Sequence, residues 1–132
     1  MFSLLKEPAL TAAMATHQTV RTVTEADFHT ALGRDASPDS PEATAWLNRI
    51  EMEAESVLFI ATPEATPWSR TAIRQADQAV FVAQASTHTA PSPLETFTME
   101  VMSPDQRRLV LIHPHRATRV TGTARWLDSR PV

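Results

Sequence analysis

Glycine is nearly absent from this sequence, because Gly33 and Gly122 are the only two among 132 residues. Nucleotide-binding α/β domains usually hold a phosphate on a glycine-rich loop, where bare backbone N–H groups approach the ligand. Neither glycine lies in a G-x-G-x-x-G or G-x-x-x-x-G-K-[ST] pattern, and the serine elbow G-x-S-x-G is missing as well. These absences predict that the chain is not an enzyme and takes no cofactor.

Cysteine is missing too, which excludes disulfides, thiolate catalysis and cysteine-based zinc sites and fits a cytoplasmic protein. A net charge of −3 argues against nucleic acid as a partner, since nucleic-acid surfaces are normally basic. No run approaches the roughly 20 apolar residues of a membrane span, and residues 1–14 lack the apolar stretch of a signal peptide. We therefore expect no direct membrane insertion.

Three continuous apolar runs are present, and each is typical of a strand buried on both faces. They cover residues 57–61 (VLFIA), 79–83 (AVFVA) and 109–112 (LVLI), and a shorter β-rich run covers residues 19–23. Helix signals separate them, among them a capping box at Thr24 and Asp27 closed by Gly33 in a left-handed cap, and a start at Ser40-Pro41.

Buried strands that alternate with helices indicate a parallel sheet with right-handed crossovers. We therefore predict one α/β domain over residues 1–132, with a three-layer, Rossmann-like (degenerate P-loop-like) architecture. Its mostly parallel sheet would have about four to five strands, with helices on both faces. The length fits one domain with a sizeable core.

Ligands of such sheets bind beyond the carboxyl ends of the strands, where residues 62–70, 84–92 and 113–119 follow the three apolar runs. Arg70 and Arg74 lie four apart and could both face an anion there, although Arg74 could instead pair with Asp77 on a helix surface. Trp68 could stack on a ligand or cover the sheet edge. The candidate ligand-binding residues are Thr66, Trp68, Arg70, Arg74, Asp77 and His113.

The sequence predicts neither a metal site nor a Ser-His-Asp triad. His113 and His115 could offer two imidazoles to a metal, but no carboxylate pair at a ligand spacing accompanies them. Serine, histidine and aspartate are all present, yet a Ser-His-Asp triad would lack its elbow and an oxyanion loop. Glu95 in Ser92-Pro93-Leu94-Glu95 fits the first turn of a helix, where a carboxylate favours the dipole.

The string VLFIATPEATPWSRTAIRQADQAVFVA, followed by LVLIHP and TARWLDSRPV, resembles a segment of bacterial patatin-like phospholipases of the neuropathy target esterase family. In that family a Rossmann-like segment lies between cyclic-nucleotide-binding domains and the patatin domain. The family usually has aspartate where this chain has Thr62. The positions that match the shared pattern are Thr66, Pro67, Trp68, Arg74, Gln75, Asp77, His113 and Pro114.

The resemblance implies a non-catalytic module of a larger phospholipase or esterase, because the family's catalytic and cyclic-nucleotide motifs lie outside such a segment. Its partners would be the neighbouring cyclic-nucleotide-binding and patatin domains, and the parent could associate with membranes. Two alternatives stay open, a small-ligand or nucleotide-binding Rossmann-like domain and a free-standing hydrolase.

A weaker resemblance links the chain to deviant P-loop ATPases, in which a strand also follows an Ala-Asp pair such as Ala76-Asp77. Their nucleotide loop lies between a first strand and a first helix, and only residues 2–5 are available here for that strand. A sheet that lacks one strand exposes unpaired backbone N–H and C=O groups. We therefore expect a homo-oligomer that forms through an exposed sheet edge.

Overall fold

The computed structural model describes residue 12, residues 19–113 and residues 121–132. This part of the chain alternates between strands and helices, as the sequence predicts. The elements in chain order are β1 (Val20–Val23), α1 (Glu25–Leu32), α2 (Pro41–Glu53), β2 (Ser56–Phe59), α3 (Pro67–Gln75), β3 (Ala79–Gln84), α4 (Pro93–Val101), a 3₁₀ turn (Pro104–Gln106), β4 (Arg107–Ile112) and α5 (Thr123–Ser129).

The four described strands form two parallel pairs. β1 lies beside β2 with Val20 opposite Ser56, and β3 lies beside β4 with Ala79 opposite Arg107. No ladder joins β2 to β3 within the described ranges. The predicted α/β class with parallel strands is confirmed, and the described strands number four. They are hydrogen-bonded as two separate pairs and do not form one continuous ladder.

The helices begin where the sequence places their caps. Ser40, Thr66 and Ser92 each accept a hydrogen bond from the backbone N–H three residues later, and a proline follows each of them at the first helical position. The Thr24–Asp27 capping box is also present. Gly33 ends α1 with φ 102° and ψ 155°, so its φ is positive, but the predicted left-handed helical cap is wrong.

Three groups of apolar side chains hold these elements together. The largest packs α1, α2 and α3 against β1 and β2, and the aromatic residues Phe28 and Trp68 are completely buried in it. A second group joins Leu58 and Ile60 of the β2 region to Val80 and Val82 of β3. The third places Phe81 of β3 against Met102 at the end of α4. No helix of the described part is long and apolar enough to cross a membrane.

Candidate functional site

The carboxyl ends of β2 and β3 lie at the same edge of the molecule. The backbone N–H of Leu94, in the first turn of α4, donates to the carbonyl of Pro63, which follows β2. This bond joins the loop after β2 to the helix after β3. The bond lies at the carboxyl ends of the strands, where an α/β domain normally binds a ligand.

The helix N-termini at this edge use their donors internally. The Thr66 hydroxyl oxygen accepts from the Ser69 N–H at 3.1 Å, and the Ser92 hydroxyl oxygen accepts from the Glu95 N–H at 3.2 Å. Pro67 and Pro93 occupy the first helical positions and have no N–H. Thr66 therefore acts as a cap, and these two turns are not arranged as the N–H cradle that holds phosphate in a P-loop.

Trp68 lies in the core. Its side chain is completely buried, and its indole N–H donates to the Ile60 carbonyl at 3.0 Å. Its ring centroid is 5.4 Å from that of Phe28 and 6.3 Å from that of Phe59. The structure thus gives this side chain a packing role behind the strand ends, with no surface open to a ligand.

The side chains of Arg70 and Arg74 both pack over the same aromatic ring. Both guanidinium groups lie over Phe97 of α4, at 5.3 and 5.6 Å from the ring centroid. Arg70 also donates to the Ala65 carbonyl at 3.1 Å, and Arg74 makes an exposed contact of 3.4 Å with Asp39. The alternative pairing of Arg74 with Asp77 is wrong, because α3 ends at Gln75 and Arg74 contacts Asp39.

The remaining predicted residues lie apart from this pair. Asp77 is exposed in the segment that precedes β3, at the amino end of that strand, and its carbonyl accepts from the Gln106 side chain. His113 follows β4 at the carboxyl end and is half-buried. The structure therefore brings Arg70 and Arg74 together, and it separates Asp77 from the strand ends that carry Thr66.

A buried ion pair that no sequence pattern indicates lies beside the same edge. The Arg130 Nε lies 2.6 Å from the Glu95 Oε1, and the Arg130 Nη2 lies 3.1 Å from the Glu95 Oε2. Arg130 is 1% exposed, and its guanidinium also lies over the Trp126 ring at 4.8 Å. The pair fastens the end of α5 to the first turn of α4.

Glu95 is held in its charged form by this arrangement. Burial by itself raises its pKa, but the hydrogen bonds from Arg130 and from the Ser92 backbone N–H outweigh burial and leave the pKa below its ordinary value. The capping motif predicts the bond to Ser92. Arg130 lies 35 residues further along the chain, and no spacing rule connects the two side chains.

His88 and Ser129 lie close to each other beside the end of α5. The His88 Nε2 is 3.0 Å from the Arg125 carbonyl and 3.3 Å from the Ser129 Oγ. Since a carbonyl only accepts, the shorter contact is a hydrogen bond only in the tautomer that carries its proton on Nε2. A protonated Nε2 cannot take the proton of Ser129, as a general base must.

No cluster of three or more potential metal-ligating side chains was found when the described ranges 19–113 and 121–132 were searched. His113 is described, whereas His115 lies outside the described residues. The pairing of His113 with His115 as metal ligands therefore lies outside the described residues.

Comparison with known proteins gives one result. The sequence model described as the neuropathy target esterase family P-loop-like domain matches residues 7–132. No curated protein and no solved structure matches the chain. The family match covers nearly the whole chain, including the edge and the ion pair described above.

Proposed function

The chain belongs to the neuropathy target esterase family as a P-loop-like domain, and from this we propose that it is a non-catalytic structural and regulatory module of a patatin-like phospholipase. In this proposal cyclic-nucleotide-binding domains precede the module and the patatin-type hydrolase domain follows it. The module links the sensor domains to the hydrolase in a cytoplasmic protein. In the larger protein, the other domains would make the contact with membranes.

The observation that carries this proposal is the capping of the two helix N-termini that lie at the carboxyl ends of β2 and β3. Ser69 and Glu95 donate their backbone N–H groups to the caps Thr66 and Ser92, and the prolines that follow the caps have none to donate. A phosphate or an oxyanion needs such donors to be free. At this edge, where a catalytic α/β domain would bind its substrate, these two N–H groups are already hydrogen-bonded to side chains of the chain itself.

The regulatory part of the proposal is supported by the pair of Glu95 and Arg130. Its two short hydrogen bonds fix α5 to α4 in a buried setting, where a charge-assisted bidentate contact is directional and strong. A hydrolase domain joined beyond α5 would therefore be held at a defined position relative to this module. Displacement of the module would then move the hydrolase with it.

Two measurements test the family role and the lack of catalysis. The reading frame on both sides of the segment should encode a downstream Gly-x-Ser-x-Gly motif. Purified chain should hydrolyse 4-nitrophenyl butyrate at the rate of buffer, and Ser129→Ala should leave that rate unchanged. Hydrolysis above the buffer rate that Ser129→Ala removes would contradict the proposal.

The coupling role is tested in the polypeptide that contains the neighbouring domains. Arg130→Met should weaken the response of ester hydrolysis to cyclic nucleotide, because α5 is no longer fixed to α4. Arg125→Met is the matched control, since Arg125 is exposed on the same helix. Equal responses of the two variants would show that the ion pair carries no coupling.

A second candidate function is the binding of a small anion by Arg70 and Arg74. The observation that favours it is the convergence of both guanidinium groups on Phe97. Phosphate and ATP at millimolar concentration should then raise the melting temperature, and Arg70→Gln combined with Arg74→Gln should abolish the shift. Arg49→Gln, an exposed change on α2, is the control. The absence of any shift in the unmodified chain contradicts this candidate.

A further inference from the structure

The guanidinium group of Arg107 is a buried cation without a counter-ion in the described ranges. Arg107 is the first residue of β4 and is 3% exposed. Its Nε and Nη1 atoms are buried, and neither makes a hydrogen bond in the part of the chain that the structure describes. The ion pairs of the described ranges involve Arg21, Arg74 and Arg130, so no carboxylate of those ranges neutralises Arg107.

Arg130 shows how the same fold satisfies a guanidinium group at nearly equal burial. It is 1% exposed, and its Nε and Nη2 donate to the two carboxylate oxygens of Glu95. Its Nη1 donates to the Thr89 carbonyl at 3.1 Å, and its guanidinium lies 4.8 Å from the centre of the Trp126 ring. Among the described residues, Arg107 has neither a carboxylate nor an aromatic ring in such a position.

The surroundings of Arg107 are apolar. Ala79 lies opposite it in the ladder between β3 and β4. Residues two apart on a strand share a face, so Arg107 lies on the same face of β4 as Leu109. Leu109 packs against the cluster of Ala79, Phe81 and Met102. Arg107 therefore lies at the margin of this cluster, whose side chains have no oxygen or nitrogen to accept a hydrogen bond.

A guanidinium group in such surroundings needs an anion. Arginine keeps its charge at any ordinary pH, so it cannot avoid the cost of burial by losing a proton. A buried charge is costly when it is unpaired, and proteins normally pair it. Since the described residues supply no counter-ion for Arg107, its donors are available to a ligand.

The anion that suits Arg107 carries a single charge. Arg108 is the neighbouring cation, but successive side chains of a strand point to opposite faces. The Arg108 Nη1 also donates to the carbonyls of Asp105 and Arg107, at 2.6 and 2.8 Å. One guanidinium neutralises a monoanion, whereas a phosphate dianion would keep an uncompensated charge beside the apolar cluster. The planar fork of arginine matches a carboxylate through two parallel hydrogen bonds.

We propose that Arg107 is the binding site for a carboxylate at the amino end of β4. The carboxylate can belong to a small organic acid or to an acidic side chain of another polypeptide, since both present the same planar anion. Arg107 is almost completely buried, so the bound pair would be largely shielded from water, where a charge-assisted hydrogen bond is strong. This inference goes beyond the proposed function, because a non-catalytic linking module does not require a carboxylate site.

The first test compares sodium butyrate with neutral butyramide, each added to the whole chain at constant ionic strength and neutral pH. Butyrate should raise the melting temperature by about 4 °C once its concentration is about ten times its Kd, because it binds the folded chain only. Butyramide has the same size but no charge, and it should leave the melting temperature unchanged.

The second test supplies the carboxylate on a polypeptide. The acetylated and amidated peptide AVEVA should raise the melting temperature, and the peptide AVQVA, in which glutamine replaces glutamate, should not. A shift with butyrate alone assigns the site to a small acid, and a shift with AVEVA alone assigns it to a polypeptide partner. If neither carboxylate shifts the melting temperature beyond its neutral counterpart, the proposal is overturned.

Variants locate the site. Arg107→Met should abolish the shift, and Arg108→Met, a change of the exposed neighbour, should keep it. Arg70→Gln combined with Arg74→Gln should also keep it, which separates this site from the anion candidate on α3. A shift that persists in Arg107→Met, or that Arg108→Met loses to the same extent, overturns the assignment to Arg107.

A conservative variant covers the case in which Arg107→Met loses the circular dichroism of the folded chain. Arg107→Lys keeps the charge but lacks the planar fork, so the Kd of the carboxylate should rise about tenfold. An unchanged Kd in Arg107→Lys overturns the two-bond contact and with it the proposal. None of these outcomes bears on ester hydrolysis, so the proposed function is tested separately.

Discussion

The two halves of the molecule repeat one architecture with different interiors. Residues 19–76 pack β1 and β2 under an aromatic cluster centred on Phe28 and Trp68, both fully buried. In residues 79–113 and 121–132, β3 packs against Met102 at the end of α4, and α4 is fastened to α5 by the buried pair of Glu95 and Arg130. The comparison shows that the same strand-and-helix unit can be stabilised by the packing of large apolar side chains or by a buried ion pair. Each mode should respond differently to mutation.

The largest effect is expected from Trp68→Ala in the first half. The change leaves a large cavity and an unpaired carbonyl at Ile60, so the free energy of unfolding should fall by about 5 kcal/mol. Urea unfolding followed by circular dichroism measures it. Trp46→Ala is the control, because Trp46 is half-buried and should cost clearly less. Equal losses would show that Trp68 is not the centre of this core.

The next largest effect is expected from Arg130→Met in the second half. It leaves the Glu95 carboxylate buried without its cation, so the free energy of unfolding should fall by about 3 kcal/mol. Adding Glu95→Gln should restore most of the loss, because glutamine keeps the capping box and carries no charge. Urea unfolding followed by circular dichroism measures both variants. A double variant as unstable as the single one would contradict the role of paired charge.

A smaller effect is expected in the pH dependence of the free energy of unfolding, and it should come from the second half, which contains Glu95. Since the folded pKa of Glu95 is lowered, the unfolded chain binds its proton first as the pH falls. The stabilisation is fully present above the ordinary glutamate pKa and is lost as the pH falls through the folded value. The Glu95→Gln, Arg130→Met double variant should lack this component. Urea midpoints between pH 7 and pH 3 for the two proteins measure the difference, and parallel curves would refute it.

The smallest effects are expected at two matched caps, Ser40-Pro41 in the first half and Ser92-Pro93 in the second. Ser40→Ala should cost about 1 kcal/mol, as the loss of an N-cap usually does. Ser92→Ala should cost more, because the Ser92 cap belongs to the capping box that positions the buried Glu95. Thermal unfolding of both variants makes the comparison. A larger loss for Ser40→Ala would reverse the expected order.

Much of the fold could be predicted from the sequence because its signals are local. The runs at residues 79–83 and 109–112 became β3 and β4, since continuous apolar residues suit a strand covered on both faces. Thr24 and Ser40 marked helix starts because the capping bond spans only three residues. The prediction failed for the Gly33 cap, because a positive φ leaves ψ undetermined between two regions that glycine tolerates.

The candidate site was less predictable because it depends on contacts between distant residues. Arg70 and Arg74 were singled out by their spacing on α3, but their shared ring, Phe97, lies on another helix. The position of Trp68 after a buried strand favours a ligand contact, but its burial follows from packing against Phe28, forty residues earlier. Arg130 carried no local signal, and only the folded arrangement shows its partner.

The buried side chain of Arg107 affects how readily further strands add to β4, and therefore how readily the protein aggregates. It is the first residue of β4, it is 3% exposed, and its Nε and Nη1 have no hydrogen-bond partner in the part of the chain that the structure describes. A charged side chain that points inward from a sheet border discourages further strands from adding there, since a growing ladder would have to bury that charge more deeply. Arg107→Val removes this buried charge from the border strand, so the variant should show faster thioflavin-positive aggregation on mild heating.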